Sequence, residues 1–449
     1  MTRTVRFISL GCAKNLVDTE SMAGLLRQSN WTIVAEGPAD LVVVNTCSFV
    51  ADAAAESVET LLEEVENKKC GRTRWLAAVG CLPEKYRHEL AEQMPELDLV
   101  LGVAEFPFLD AKLEDLIGRG GPRASFSPMD NHYHEIGPRW LSTPPHLAYL
   151  KIAEGCSNHC AYCIIGRLRG PFRSRPFEAV MAEARSLIAD GVKELNLVAQ
   201  DLTRYGEDLT PVCPLPELLR SLNALAGDYW IRMLYVHPAR INRELAQTMV
   251  DCRKIVPYLD LPLQHISDRV LSRMNRPQTK VGSRAVVRLL RDAVPGIALR
   301  TTFLVGHPGE TEADFEELLE FVRESCFEHV GAFIWSAEQG TASAKQKGRV
   351  RRNLARRRLE RLMTEQQAIS RLRLSEQIDL TTEVLIEEVL HKHNAEAYSH
   401  IGRVPQQAPD VDGVTYVRAR AEDACRPGQV MRVRITAAGD YDLFAELLE

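Results

Sequence analysis

Three cysteines, Cys156, Cys160 and Cys163, stand three and two residues apart immediately after the apolar run 148–152. Three thiols in one tight loop at the end of a strand call for a metal centre, and that demand limits the fold to one that presents strand ends as a site. Such thiolates can hold three irons of a cubane cluster and leave the fourth iron open for chemistry. A zinc site completed by His159 is the competing reading, although the adjacent His159 and Cys160 would have to converge awkwardly on one tetrahedral ion.

The surrounding pattern supplies such a fold. Strand-like runs at 148–152, 194–199, 231–235, 259–261, 297–304 and 329–333 alternate with helical stretches, and the glycine fingerprint of a dinucleotide sheet is missing. Six strands in about 190 residues resemble a barrel or part-barrel of β/α units. Upstream, strands at 5–10, 41–45 and 74–79 alternate with helices at 18–28 and 52–66, which indicates a parallel α/β domain. Pro, Gly and His crowd residues 118–145, which read as a linker. A charged helix covers 350–375, and period-two segments at 383–389, 415–420 and 429–435, separated by Asp412-Gly413 and Pro427-Gly428, predict a small antiparallel β-barrel. The fold class is therefore α/β multidomain.

A second constellation lies in the first domain. Cys12, Cys47 and Cys81 each follow a strand, in Ser9-Leu10-Gly11-Cys12, Asn45-Thr46-Cys47 and Val79-Gly80-Cys81. Carboxyl ends of strands are where open α/β sheets build ligand sites. One buried cysteine is usually an inert small hydrophobe, but three in equivalent positions can converge on one metal centre. Cys70, Cys213, Cys252, Cys326 and Cys425 show no spacing logic.

Composition removes other classes. With 449 residues the chain has room for about three domains, and 45% apolar with 26% charged residues excludes wholesale disorder and a collagen-like chain. Eleven cysteines is an odd number, in a chain whose start shows no secretory signal, so metal use is expected ahead of a disulfide framework. No apolar run approaches the roughly 18 residues of a membrane span. A cytoplasmic protein without a membrane partner is expected.

Taken together, the amino-terminal trio, the central cysteine loop and the terminal barrel resemble the methylthiotransferases of the radical S-adenosylmethionine superfamily over nearly the whole chain. Residues 9–18 (Ser-Leu-Gly-Cys-Ala-Lys-Asn-Leu-Val-Asp), 160–165 (Cys-Ala-Tyr-Cys-Ile-Ile) and 441–443 (Tyr-Asp-Leu) are similar to the branch that modifies an aspartate of small-subunit ribosomal protein twelve. The Tyr-Gly-Cys-Gln-Met-Asn type opening of the tRNA-modifying branch is missing. The resemblance implies a methylthiotransferase domain over 1–135, a radical S-adenosylmethionine core over 142–374 and a TRAM-like barrel over 376–446.

It also implies two 4Fe–4S clusters and two uses of S-adenosylmethionine. One molecule would methylate sulfur at a cluster on Cys12, Cys47 and Cys81. Another, cleaved at a cluster on Cys156, Cys160 and Cys163, would yield a radical that takes hydrogen from the aspartate β-carbon. An electron donor and a sulfide source are implied as partners. Tyr162 stands where the superfamily places an aromatic residue near the adenine. Gln200, Asp201, His237, Gln264 and His265 follow the second, third and fourth barrel strands and resemble cofactor-pocket residues, as does the 306–311 turn after the fifth; Arg300 is a candidate partner for the cofactor carboxylate. Gly166 departs from the expected proline and should loosen the loop.

Local charge bears on the substrate. Residues 376–449 hold fourteen acidic and seven basic side chains, a net of −7, while the whole chain carries −6. An acidic barrel suits a basic protein better than tRNA phosphates. Two basic clusters, the nine lysines and arginines of 345–361 and the set Arg167, Arg169, Arg173 and Arg175, run the other way. The first reads as a solvated helix face paired with acids, the second as an attractor for an acidic substrate or phosphate. The alternatives are a tRNA adenosine methylthiotransferase and a non-catalytic iron–sulfur or zinc protein that binds RNA or ribosomes.

Overall fold

The computed structural model describes residues 3–121, 123–129, 133–135, 137–390, 398–419 and 425–448. In the first domain, six parallel strands form one sheet in the spatial order Trp31–Ile33, Arg3–Ser9, Ala39–Thr46, Thr73–Gly80, Leu99–Leu101, Ala124–Ser125. The three long strands match the sequence pattern; the flanking ones are too short for alternation to show. Val43, Ala77 and Val79 pack on Met22 and Leu26 of the helix Ala13–Gln28 on one face. Val42, Val44 and Leu76 pack on Leu61 and Val65 of the helix Ala51–Lys69 on the other. Each such aliphatic side chain contributes roughly 1.5–3 kcal/mol by burial, and cover on both faces is why these strands read as continuous apolar runs.

The central domain is a six-stranded parallel sheet in the order His329–Ile334, Ala298–Val305, Ile255–Asp260, Trp230–Met233, Glu194–Val198, Leu147–Lys151. Its two outer strands do not pair with each other, so it is a part-barrel. Helices cover the convex face, and one of them, Glu312–Ser325, starts at a reciprocal Thr311/Asp314 capping box. The third domain is a closed five-stranded barrel. Four of its pairings are antiparallel, whereas Thr415–Arg418 and Leu443–Leu447 run parallel. Closure leaves no exposed sheet edge.

Both flanking domains enter the part-barrel. At the amino-terminal strand ends, Glu194 accepts from Arg232 Nε at 2.7 Å and pairs with Arg403 of the small barrel, all three fully buried. Tyr149 and Tyr258 donate to Asp410 and Asp412, each at 2.8 Å. At the opposite ends, Val17 of the first domain joins the interior cluster of Tyr149, Val198, Leu234 and Tyr258. Residues 118–145 are not a loose tether where described: Ala124–Ser125 extends the first sheet, and the buried Arg139 bridges Glu20 and Glu183. No helix among the described residues is long and apolar enough to cross a membrane.

Candidate active site

The Cys156–Cys163 loop leaves the first barrel strand and is fastened at several points. Cys156 N–H donates to Gly170 O at 3.1 Å, Ala161 N–H to Met274 O at 2.8 Å, and Ser343 N–H to Ala161 O at 2.8 Å. Asn158, between the first two cysteines, donates to Asp201 at 2.7 Å, and Arg240 holds the same carboxylate at 2.9 Å. Arg276 approaches Cys160 Sγ at 3.7 Å. Burial pushes the Cys163 thiol up to about 12, and the nearby Cys160 and Cys156 add to the rise. Tyr162 sits beside Cys160, Cys163 and Arg276, and burial raises its phenol.

The second trio assembles through backbone geometry. Gly11 takes φ +91°, and a Cβ there would lie 2.6 Å from Cys47 Cβ and 2.8 Å from its Sγ, so only glycine lets the two loops meet. Cys12 then stands at the N-cap position of the helix Ala13–Gln28, without a side-chain capping bond, and that helix begins five residues earlier than its sequence pattern suggests. Burial pushes Cys81 up to about 11 against the opposing Arg169, with Cys12 and Cys47 adding to it; Cys47 is raised by burial as well. Among the described residues no three His, Cys, Asp or Glu side chains converge as ligands of a single ion. Thiolates that each bind a different iron of a cubane need not do so. His159, the remaining donor of the zinc reading, is exposed.

The segments that carry the two trios are in contact. Cys81 packs against Ile164, which follows Cys163 directly, and Leu168, five residues past it. Between them lies a buried network: Arg169 donates to Asp18 at 2.6 Å and Glu154 at 3.1 Å and reaches Asn15, while Lys151 holds Glu154 at 2.8 Å and Asp18. Asn15 in turn donates to Leu10 O and Thr46 O, both at 2.9 Å. The motif residues Asn15 and Asp18 thus join the first cysteine loop to the second. Around the same strand ends, Gln200 Oε1, His237 Nε2, Asp260 Oδ1 and Arg276 Nε are buried without hydrogen-bond partners among the described residues. Orphaned polar atoms of this kind are what a bound polar cofactor satisfies. Burial, with Arg276, Arg240 and Arg204 nearby, brings His237 down to about 2, so its imidazole is neutral. Lys14 Nζ lies over the Tyr235 ring, 3.1 Å from its centre, a buried cation beside Cys12.

Residues 4–102 match the Uncharacterized protein family UPF0004, residues 150–322 the Radical SAM superfamily and residues 380–448 the TRAM domain. The chain is 44% identical to the ribosomal protein uS12 methylthiotransferase RimO of Geobacter sulfurreducens, over 99% of this chain and 98% of that protein. It is likewise 44% identical to RimO of Symbiobacterium thermophilum, over 99% and 91% of the two chains. The chain belongs to the RimO family.

The RimO-family chain shares its fold with the radical S-adenosylmethionine methyltransferase TsrM from Kitasatospora setae, at a TM-score of 0.56 and 16% identity over 74% of this chain and 75% of that one. OxsB, a cobalamin-dependent S-adenosylmethionine radical enzyme, aligns at a TM-score of 0.54 and 14% identity over 82% and 56%. A 4Fe–4S cluster with S-adenosylmethionine is the cofactor set of this superfamily core, and the donor set and orphaned atoms fit it.

Of the remaining candidates for the RimO-family site, Arg300 is the one that the structure moves away from the carboxyl strand ends. Arg300 is the third residue of its strand, far from the carboxyl end, and pairs with Asp412 at 2.5 Å instead of facing a cofactor. His265 is fully buried, its Nδ1 accepting from Ser267 N–H at 3.0 Å, while its Nε2, 3.9 Å from Glu310, is another buried polar atom without a hydrogen-bond partner among the described residues. Gln264 takes φ +71° and bridges the neighbouring strand through its backbone. Gly166 does not loosen its loop: it lies in the helical turn Ile165–Leu168, where a Cβ would stand 3.0 Å from Cys156 O. The arginines after the loop form no open patch, since Arg169, Arg173 and Arg175 are buried and only Arg167 is exposed. Arg276, Lys151 and Lys14 were not singled out as site residues by the sequence, and Arg169 only as one of four basic residues after the loop; Lys14, like Asn15 and Asp18, lies in the motif at 9–18, whereas Arg276 and Lys151 carry no local signal.

Proposed function

We propose that this protein converts an aspartate of ribosomal protein uS12 to its 3-methylthio form, using two 4Fe–4S clusters, with domains over 1–135, 142–374 and 376–446. The observation that carries the reading is the meeting of two cysteine trios across one buried network, together with full-length relatives named for this activity.

When bound at Cys156, Cys160 and Cys163 with S-adenosylmethionine, a cluster supplies the electron that frees a deoxyadenosyl radical, and one at Cys12, Cys47 and Cys81 supplies sulfur for transfer. The chain does the rest. Arg276 and Arg169 each set a positive charge against one trio and offset the charge of three thiolates. Asp201, Asn158 and Arg240 hold the first loop in place. Gln200 and His237 present unpaired polar atoms to the cofactor, Tyr162 lies beside Cys160 and Cys163, and Lys14 offers a cation to the substrate carboxylate on the Cys12 side. Burial of the whole network excludes water from a carbon radical.

An electron donor and a sulfide source complete the reaction, and the setting is cytoplasmic. Exposed acids on the terminal barrel, including Glu376, Glu383 and Glu388, favour a basic protein partner over tRNA. The test is anaerobic incubation of the reconstituted protein with S-adenosylmethionine, sulfide and reductant, offering uS12 and bulk tRNA together, followed by mass spectrometry. A methylthio increment on one uS12 aspartate is expected; the increment on a tRNA adenosine instead would overturn the assignment.

A further inference from the structure

The basic stretch at 345–361 divides into two halves. Arg358 is buried against Glu310 at 2.8 Å and Glu312 at 2.9 Å, and Arg361 pairs with Glu312 and Glu316. The other seven bases, Lys345, Lys347, Arg349, Arg351, Arg352, Arg356 and Arg357, are all exposed. Arg349 donates to Ala344 O at 2.9 Å and lies 6.0 Å from the Trp335 ring centre; no carboxylate pairs with any of the seven among the described residues. The expectation of a helix face neutralised by acids therefore holds for one half only.

The unpaired half costs stability, since Arg352 and Arg356 are like charges four residues apart on one helix face, and the acid one turn on, the exposed Glu360, forms no ion pair with Arg356 among the described residues. They also crowd the first turns of Arg352–Ser375, where the helix dipole already disfavours cations. The patch borders the candidate site. Ser343 N–H donates to Ala161 O inside the cysteine loop, and Arg273 clamps the strip by donating to Lys347 O at 2.8 Å and Pro308 O at 2.7 Å. A row of positive charge without ion-pair partners among the described residues thus runs from the rim of the cysteine loop along the amino-terminal turns of the helix.

We propose that this patch docks on the phosphate backbone of small-subunit ribosomal RNA, so that the enzyme engages uS12 within the assembled subunit. This rests on uS12 being the substrate. The two outer surfaces then divide the work: the acidic terminal barrel meets basic protein, and residues 345–357 meet polyanion. Arginine and lysine rows of this sort gain affinity from counterion release, which leaves a salt signature that a protein contact of the same size does not share.

The test uses the full chain with reconstituted clusters, comparing wild type with R351Q/R352Q/R356Q/R357Q. Binding to small subunits and to protein-free small-subunit RNA is measured across a salt series, alongside deoxyadenosine release and methylthio transfer to isolated uS12. Removal of four phosphate contacts should flatten the log–log salt slope by about three and weaken binding on the order of 10- to 100-fold for subunits and RNA alike. Deoxyadenosine release and transfer to isolated uS12 should stay unchanged, and the matching lysine variant should keep the slope. An unchanged slope on RNA overturns the proposal, as does a loss confined to intact subunits, which would mark an acidic protein as the partner. Failure of wild type to modify uS12 in any form would instead sink the substrate assignment, while the RNA slopes still report on the patch.

Discussion

Arg169, six residues past Cys163, donates from Nη1 to the carboxylate of Asp18, six residues past Cys12, at 2.6 Å. Both side chains are buried, so the bond ties one cysteine loop to the other inside a region of low dielectric. Removing one member leaves charge without a partner, which costs about 3–5 kcal/mol. Asp18→Ala should therefore lower the stability measured in urea by that order, and should depress methylthio transfer more than deoxyadenosine formation. Equal losses in both activities would mean that the pair serves folding alone.

The trios should separate by function. Alanine at Cys156, Cys160 or Cys163 is expected to abolish deoxyadenosine formation. Alanine at Cys12, Cys47 or Cys81 should leave it intact, stop sulfur transfer and bring iron from about eight to about four per chain. Full transfer by any of the second set would remove those three residues from the site.

Thiol reactivity should follow burial. With Cys81 pushed up to about 11 and Cys163 to about 12, the thiolate fraction at pH 8 is on the order of a thousandth or less, against about a quarter for an ordinary thiol. In the cluster-free protein, iodoacetamide should label the exposed Cys70 first. Labelling of Cys81 and Cys163 should rise only as pH climbs toward 11 and 12. Peptide mass spectrometry over a pH series reads this directly, and rapid labelling of Cys81 at pH 7 would contradict it.

Glu194 should anchor the terminal barrel in a pH-dependent way. Burial alone would raise its carboxyl, but Arg232 and Arg403 outweigh that and bring it to about 2, below an ordinary 4.5. A depressed acid stabilises the fold above its unfolded value, and that contribution is lost as pH falls from 4.5 through about 2. The amount at stake is about 3 kcal/mol. Thermal melts should show acid sensitivity in this window, and Glu194→Gln should lower stability at pH 7 while flattening the acid limb. An identical acid limb in the variant would place the titration elsewhere.

Much of the architecture was legible in the amino-acid order because it rests on local signals. Alternating apolar runs mark the six barrel strands to within a few residues, turn pairs such as Asp412-Gly413 mark the terminal barrel, and close spacing marks the Cys156 loop. Short strands such as Leu99–Leu101 and His400–Arg403 carry too few residues for a period to register. The parallel pairing inside the last barrel depends on closure, which no local window contains.

The site divides along the same line. Chain order alone put Cys12, Cys47 and Cys81 at equivalent strand ends, because a parallel α/β fold repeats its geometry unit by unit. It could not say that Arg169 would stand against them, that Arg300 would turn to Asp412, or that Arg358 would be neutralised while Arg352 and Arg356 were not. Those outcomes depend on which charges share a buried space, and burial strengthens or cancels a charge only after distant segments have packed together.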